Sequence, residues 1–132
     1  MAITSAICTS FKQELLVGTH NFTASSGNSF KLALYTSSAT LGAGTTAYVT
    51  TGEATGTNYT AAGSALTNVT PVTSGTTAVV DFADLTFSNA TVTARGCLIY
   101  NDTNSDKAVA AIDFGGDKTS TCLLYTSPSP RD

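Results

Sequence analysis

Two short apolar runs separated by a polar cluster organise the chain. Residues 97–100 read Cys-Leu-Ile-Tyr, residues 108–114 are apolar apart from Asp113, and residues 101–107 between them are Asn, Asp, Thr, Ser and Lys. Runs this short, bounded by turn formers, predict two buried strands joined as a hairpin rather than a helix. Residues 30–35 alternate Phe30, Leu32 and Leu34 with Lys31, Ala33 and Tyr35, which predicts a strand with one face buried. Residues 77–82 (TAVVDF) predict another strand, continued after a bend by residues 85–87. Residues 65–72 also alternate, but Pro71 lacks an N–H, so that strand is expected at an edge or ending there. Residues 2–8 read as a short strand or lead-in, and residues 91–93 lead into the hairpin. Residues 36–62 form a long Thr- and Gly-rich stretch, in which residues 47–50 are expected to be extended.

One segment has helical character. In residues 10–18, Phe11 and Leu15 lie one turn apart, Ser10 is placed to cap the N-terminus with Gln13 three residues later, and Gly18 suits the position after the last turn. A helix this short must dock on something larger. Short strands with turn signals about every ten residues complete the picture. The expected fold is all-β, an antiparallel, jelly-roll-like β-sandwich with one short N-terminal helix. It is expected as one domain over residues 1–121.

Composition narrows the partners. Charged residues make up 11% of the 132 residues, less than half the usual ~25%. Threonine, which favours strands, fills much of the gap. The net charge is −3 and no Lys/Arg cluster occurs, so nucleic acid is not expected as a partner. No apolar run approaches the ~20 residues that span a bilayer, so no membrane partner is expected. The first residues lack a basic stretch followed by a long apolar one, and no signal peptide is expected. Cys8, Cys97 and Cys122 are too few and too widely spaced for a disulfide scaffold or a zinc site. Cys97 is expected to behave as a small buried hydrophobe.

Several residues invite chemical readings. His20 is the single histidine. A general base needs a nucleophile and an orienting group beside it, and hydrogen bonding at the helix end is the favoured role. Asp102, Asn104 and Asp106 have the spacing of a calcium loop, with Asp113 at the twelfth position. The sixth position is Lys107 where such a loop needs Gly, and a solvated hairpin turn is favoured. Asp81, Asp84, Asp113 and Asp117 could supply paired carboxylates for glycoside hydrolysis, but sheet-surface acids are favoured, with Arg95 as an ion-pair partner for one of them. Asn21, Asn58, Asn68, Asn89 and Asn101 each begin an Asn-x-Thr triplet, as expected from composition in a Thr-rich chain. Tyr48, Glu53 and Tyr59 form the candidate interaction surface, since aromatics in a Thr/Gly loop can bind sugar or protein. The plainer reading has the tyrosines covering the edge of the core. No catalytic, cofactor-binding or metal-binding residue is assigned, no cofactor is expected, and an enzyme is not expected.

The last eleven residues, CLLYTSPSPRD, break with what precedes them, and two of the three prolines fall here, at Pro128 and Pro130. The segment is similar to one translated frame of a transposase sequencing adapter. On this reading residues 122–132 are a non-native tail, and the natural chain is expected to continue differently beyond residue 121. A strand that should follow residues 108–114 would then be missing. Either part of the hairpin's edge is unpaired, or residues 123–126 are borrowed to cover it, with aggregation as the hazard of an open edge.

From Phe11 onward the chain resembles a family of small structural proteins encoded by tailed bacteriophages. The resemblance lies in FKQELLVGTHNF at 11–22, FKLALYTSSA at 30–39, the stretch from Thr45 to Pro71, TTAVVDFADLTF at 76–87, TVTARGCLIYNDT at 91–103 and AVAAIDFGGDKTST at 108–121. It implies a non-enzymatic virion role, as an accessory of the capsid (decoration or cement) or of the tail, assembled in the host cytoplasm. Its implied partners are other virion proteins or copies of itself. It supplies no catalytic residues. The alternative is a β-sandwich module binding host glycans or another host-surface ligand.

Overall fold

The computed structural model describes residues 3–83 and 85–126, with side chains left aside at 86–89 and beyond 119. Asp84, Pro128 and Pro130, named above, lie outside the described residues. In chain order the elements are β1 (Ala6–Ile7), α1 (Thr9–Leu16), β2 (Phe30–Tyr35), β3 (Gly56–Thr57), β4 (Ser64–Ala65), β5 (Asn68–Ser74), β6 (Thr77–Phe82), β7 (Thr86–Asn101) and β8 (Lys107–Thr126). The fold is all-β, antiparallel and sandwich-like, with one short helix. One sheet runs β1-β8-β7-β2-β4, with β3 also on β7, and β5 and β6 form a second sheet of two strands.

The β7–β8 hairpin is the spine of the larger sheet. It closes with Asn101 opposite Lys107, as the turn formers predict, and carries on outward through Thr86 opposite Thr126. Register shifts interrupt the ladder at four places, among them between Ala94 and Gly96 and between Ile99 and Tyr100. Each shift bends the ribbon and increases its twist. β7 is long enough to carry two neighbours on its other edge: β2 along residues 96–101 and β3 at Thr91 and Val92. The outer edge of β8 pairs with β1 at Ala110 and Ala111. Residues 123–126 therefore extend the hairpin against β7 and do not cover the edge at 108–114.

Both faces of this sheet are apolar. Opposed residues of an antiparallel pair share a face. Leu32 with Ile99 and Leu34 with Cys97 lie on one face, Ala33 with Leu98 and Lys31 with Tyr100 on the other. Leu32, Leu34, Cys97, Val92 and Tyr59 belong to one core cluster, while Ala33, Tyr35, Leu98 and Tyr100 join Ile3, Ala39 and Leu41 in another. The strand predicted with a single buried face is thus covered on both, because the 36–55 loop packs where solvent was expected. Cys97 is a buried small hydrophobe, and burial pushes its thiol up to about 12.

Three local expectations change. The helix starts at Thr9 with Cys8 at the capping position and no side-chain cap, and the Ser10 hydroxyl is buried without a partner among the described residues. Its other end is as read: Gly18 has φ +78, and Thr19 N–H returns to the Glu14 carbonyl at 3.0 Å. Thr86 and Phe87 begin β7 rather than prolonging β6. In residues 47–50 only Ala47 makes a bridge, to Lys107. Pro71 sits inside β5, where the register slips between Val69 and Val72, so its missing N–H interrupts the ladder at an existing irregularity.

Candidate functional site

Glu53 gathers the aromatic residues singled out in the sequence. The loop after β2 turns back so that Thr36 N–H bonds the Gly52 carbonyl at 2.8 Å and Ala54 N–H bonds the Leu34 carbonyl at 2.9 Å. This places Glu53 beside the end of β2. Its Oε1 accepts the Tyr48 hydroxyl at 2.5 Å, and its Oε2 accepts the Tyr59 hydroxyl at 2.6 Å and the Ala62 N–H at 2.8 Å. The Tyr59 oxygen in turn accepts the Leu34 N–H at 2.9 Å. Tyr35 donates to the Val49 carbonyl at 2.6 Å, and Tyr100 donates to the Ala62 carbonyl. The Tyr48 ring stacks on Tyr100 with centroids 4.9 Å apart.

Tyr48, Glu53 and Tyr59 therefore meet, but their polar ends point at one another. Tyr59 is only 8% exposed, so its ring covers the edge of the core rather than offering a stacking platform. Burial, then the hydrogen bond to Glu53, pushes the Tyr48 phenol up to about 12. The same two causes, in the same order, raise Tyr59 further, and burial leads for Tyr35 and Tyr100. All four phenols stay protonated at neutral pH and act as donors. The cluster fastens residues 48–62 to the sheet.

His20 is the hub of a second polar network. Its Nε2 lies 2.9 Å from Glu14 Oε1 on α1, and its Nδ1 lies 2.9 Å from the side-chain nitrogen of Asn101 at the end of β7. Asn101 is fully buried, and its Oδ1 accepts the N–H groups of Thr103 and Asn104 at 3.1 and 3.2 Å. The Asn101 nitrogen also reaches Asn28 Oδ1 at 3.0 Å, which takes the Asn21 N–H at 2.8 Å. Phe11 and Phe30 flank the ring at 4.8 and 6.3 Å. Among the described residues no nucleophile is bonded to either ring nitrogen, and the ring's hydrogen bonds link the helix to the end of β7.

The calcium spacing dissolves in three dimensions. Asp113 stands six residues along an extended strand from Lys107, roughly 20 Å away, and pairs with Arg95 at 3.2 Å. The Gly115 N–H, then Arg95, hold the Asp113 carboxyl below its ordinary value, outweighing burial. Asn104 spends its amide on the Thr19 carbonyl at 2.5 Å and on Asn28 Oδ1 at 3.3 Å. Burial, then the Asp102 charge, raises Asp106. Asp81 lies on β6, where its Oδ1 accepts the Phe82 N–H at 2.8 Å. Among the described residues no group of three or more His, Cys, Asp and Glu is placed to hold a metal ion. No helix among them is long and apolar enough to cross a membrane.

One surface went unnoticed in the sequence. An apolar groove of about 590 Å³ lies between β6, β8 and α1, lined by Ile7, Phe11, Leu15, Val80, Phe82 and Ile112 among others. Beside it the β5–β6 arm exposes Val69, Val72, Val79 and Val80. The available signal was that TAVVDF is apolar on both sides of the strand, which normally marks a strand covered on both faces. The arm is held at its base: Asn68 Nδ2 donates to the Asn28 carbonyl at 2.8 Å, Ala24 N–H bonds Thr70 Oγ1 at 3.0 Å, and Phe82 packs on Phe22 and Phe30. Compared with protein-family models, curated proteins and solved structures, the chain matches none.

Proposed function

We propose that this chain is a non-enzymatic structural component of a bacteriophage virion, an accessory of the capsid or of the tail. The ordered resemblance over residues 11–121 suggests the role. The observation that carries it in the structure is the β5–β6 arm, which has no charged residue between Val69 and Val80 and exposes four valines there. Uncharged, partly apolar surface of this kind is suited to burial against a neighbouring subunit. Its partners would be other virion proteins or copies of itself, met during assembly in the host cytoplasm. Mass spectrometry of purified particles from a phage carrying the gene tests the proposal. Peptides of this chain at stoichiometric level are expected, and their absence from intact particles removes the reading.

Glycan binding through Tyr48, Glu53 and Tyr59 has less support, because the three side chains are engaged with one another and Tyr59 is buried. A glycan array comparing the parent chain with Tyr48→Ala and Tyr59→Ala separates the two readings. Binding lost in both variants would favour the module.

A further inference from the structure

The two edges of the β5–β6 arm differ. β5 is guarded: Pro71 has no N–H to offer, the extra residue of the bulge lies between Val69 and Val72, and the 21–28 loop is bonded to Asn68 and Thr70. β6 has none of these devices, and Thr77 to Val80 carry neither proline nor charge. The Ala83 N–H turns toward β5, bonding the Thr67 carbonyl at 2.9 Å. Backbone groups alternate in direction along a strand, so those of Ala78, Val80 and Phe82 point away from β5. The Phe82 N–H is taken by Asp81 Oδ1. Among the described residues nothing bonds the N–H and C=O of Ala78 and Val80 on that side.

The space beside this open edge is apolar. The groove described above is lined from the arm by Ala78, Val80 and Phe82, all of β6. Ile7 and Leu15 also line it and are each nearly half exposed. A strand added to β6 would find free backbone groups at its edge and an apolar floor beneath it.

We infer that β6 pairs antiparallel with β6 of a second copy, about a two-fold axis through Val79. Centred there, Ala78 exchanges both backbone bonds with the partner's Val80, and symmetry repeats the pair. Centring on Val80 instead would call on the Phe82 N–H, which Asp81 already holds. The Val79 register also sets Asp81 opposite the partner's Thr77, so no carboxylate faces another. Val72 stands opposite Val79 within each arm, so the outer face gains an unbroken row of valines across both copies. The inner face sets Ala78 and Val80 of both copies toward the groove. A two-stranded sheet is marginal alone, and the pairing supplies the further strands that a stable layer needs. The inference rests on the proposed reading of the arm as surface buried against a neighbour, and names that neighbour. A monomer found in purified particles would remove the pairing and leave the virion role, and a dimer absent from particles would do the reverse.

Sedimentation velocity on the full chain, in a concentration series up to about 200 μM, tests the pairing, since short strand additions fall among the weaker interfaces. A monomer–dimer equilibrium is expected. Val80→Pro removes the edge N–H without touching the ladder to β5, and should weaken the dimer at least about tenfold. Val72→Lys alters the guarded strand and should leave the dimer in place. A second readout covers the case in which the proline variant fails to fold. In a Cys122→Ser background, where Cys8 and Cys97 are buried, Val79→Cys should form an intermolecular disulfide on mild oxidation. Paired α-carbons there would lie about 4.5 Å apart, within a disulfide's reach. Val72→Cys should not crosslink, because its counterpart would lie three strand spacings away, roughly 14 Å. A monomer throughout the series, a dimer indifferent to a folded Val80→Pro, or crosslinking at Val72 as readily as at Val79 would overturn the inference.

Discussion

The Tyr59 hydroxyl stands between the Glu53 carboxylate, to which it donates at 2.6 Å, and the Leu34 backbone N–H, from which it accepts at 2.9 Å. One phenol thus satisfies a charge on a loop and a buried donor on β2. Tyr59→Phe keeps the ring but leaves the Leu34 N–H without this acceptor. The expected cost is about 2–4 kcal/mol, read as a lower urea midpoint with an unchanged slope. Glu53→Gln retains hydrogen-bonding capacity and should cost less, roughly 1–2 kcal/mol. If Tyr59→Phe unfolds at the parent's midpoint, the bond is not structural.

Alkaline pH should dissolve the same cluster. The folded-state phenols of Tyr35, Tyr48, Tyr59 and Tyr100 all lie above the ordinary value of 10.0, Tyr48 at about 12. The folded state therefore holds these protons more tightly than the unfolded state. The associated stability is fully present below about pH 10 and is lost as pH rises toward and beyond 12. Absorbance at the phenolate band should rise for these residues together with loss of far-UV ellipticity. In a Tyr125→Phe background, phenolate appearing near pH 10 with the fold intact would contradict the burial described for them.

Gly63 tests how tightly the 60–65 loop is pressed on β2. Its φ is +87, and an added Cβ would fall 1.9 Å from the Leu32 carbonyl oxygen. Gly63→Ala combines left-handed backbone strain with a clash against backbone, and should cost roughly 3 kcal/mol or more. Gly116→Ala meets nothing within 4 Å and serves as the control, with a change expected within about 0.5 kcal/mol. Equal thermal midpoints for the two variants would refute the close approach.

Cys97 should be chemically silent until the protein unfolds. Burial on β7 holds its thiol near 12, so almost no thiolate exists at neutral pH and no reagent reaches it. In a Cys122→Ser background, mass spectrometry after treatment with a thiol reagent at neutral pH should find Cys97 unmodified in buffer and modified in denaturant. Rapid native labelling would show that β7 opens there.

The legible parts of the fold were the local ones. Residues 97–114 could be read as a hairpin because both strands and their turn lie within one short window. Gly18 marked the end of the helix correctly because left-handed backbone favours glycine. What escaped was set by distant partners. Asn101 reads as a turn former, yet it is fully buried because it meets His20, 81 positions away. Leu85 to Phe87 looked like more of β6 because a bend between strands carries the same Thr and Phe as a strand would. Tyr48, Glu53 and Tyr59 were singled out as a group and do converge. Their direction, inward, depends on how the loop folds back over β2, which no short-range pattern encodes. The groove was hidden for the same reason, since Ile7, Leu15 and Val80 come from three separate elements.

The pairing of β2 with β7 also sets the tempo of folding. The β7–β8 hairpin needs only its short turn to close, so it can form on the microsecond scale of isolated hairpins, roughly 1–10 μs. β2 reaches its place only when the chain between them has looped back, bringing Ser29 to Thr103 across 74 positions. Closing a loop of that length loses entropy before any contact repays it, and strands joined across such distances assemble in milliseconds to seconds. Until β2 arrives, Cys97, Leu98 and Ile99 have no neighbour on that edge. The slow step of folding is therefore the docking of an early strand onto a late one, and a chain emerging from synthesis must wait for residues 97–101 before Phe30 to Tyr35 can find a home.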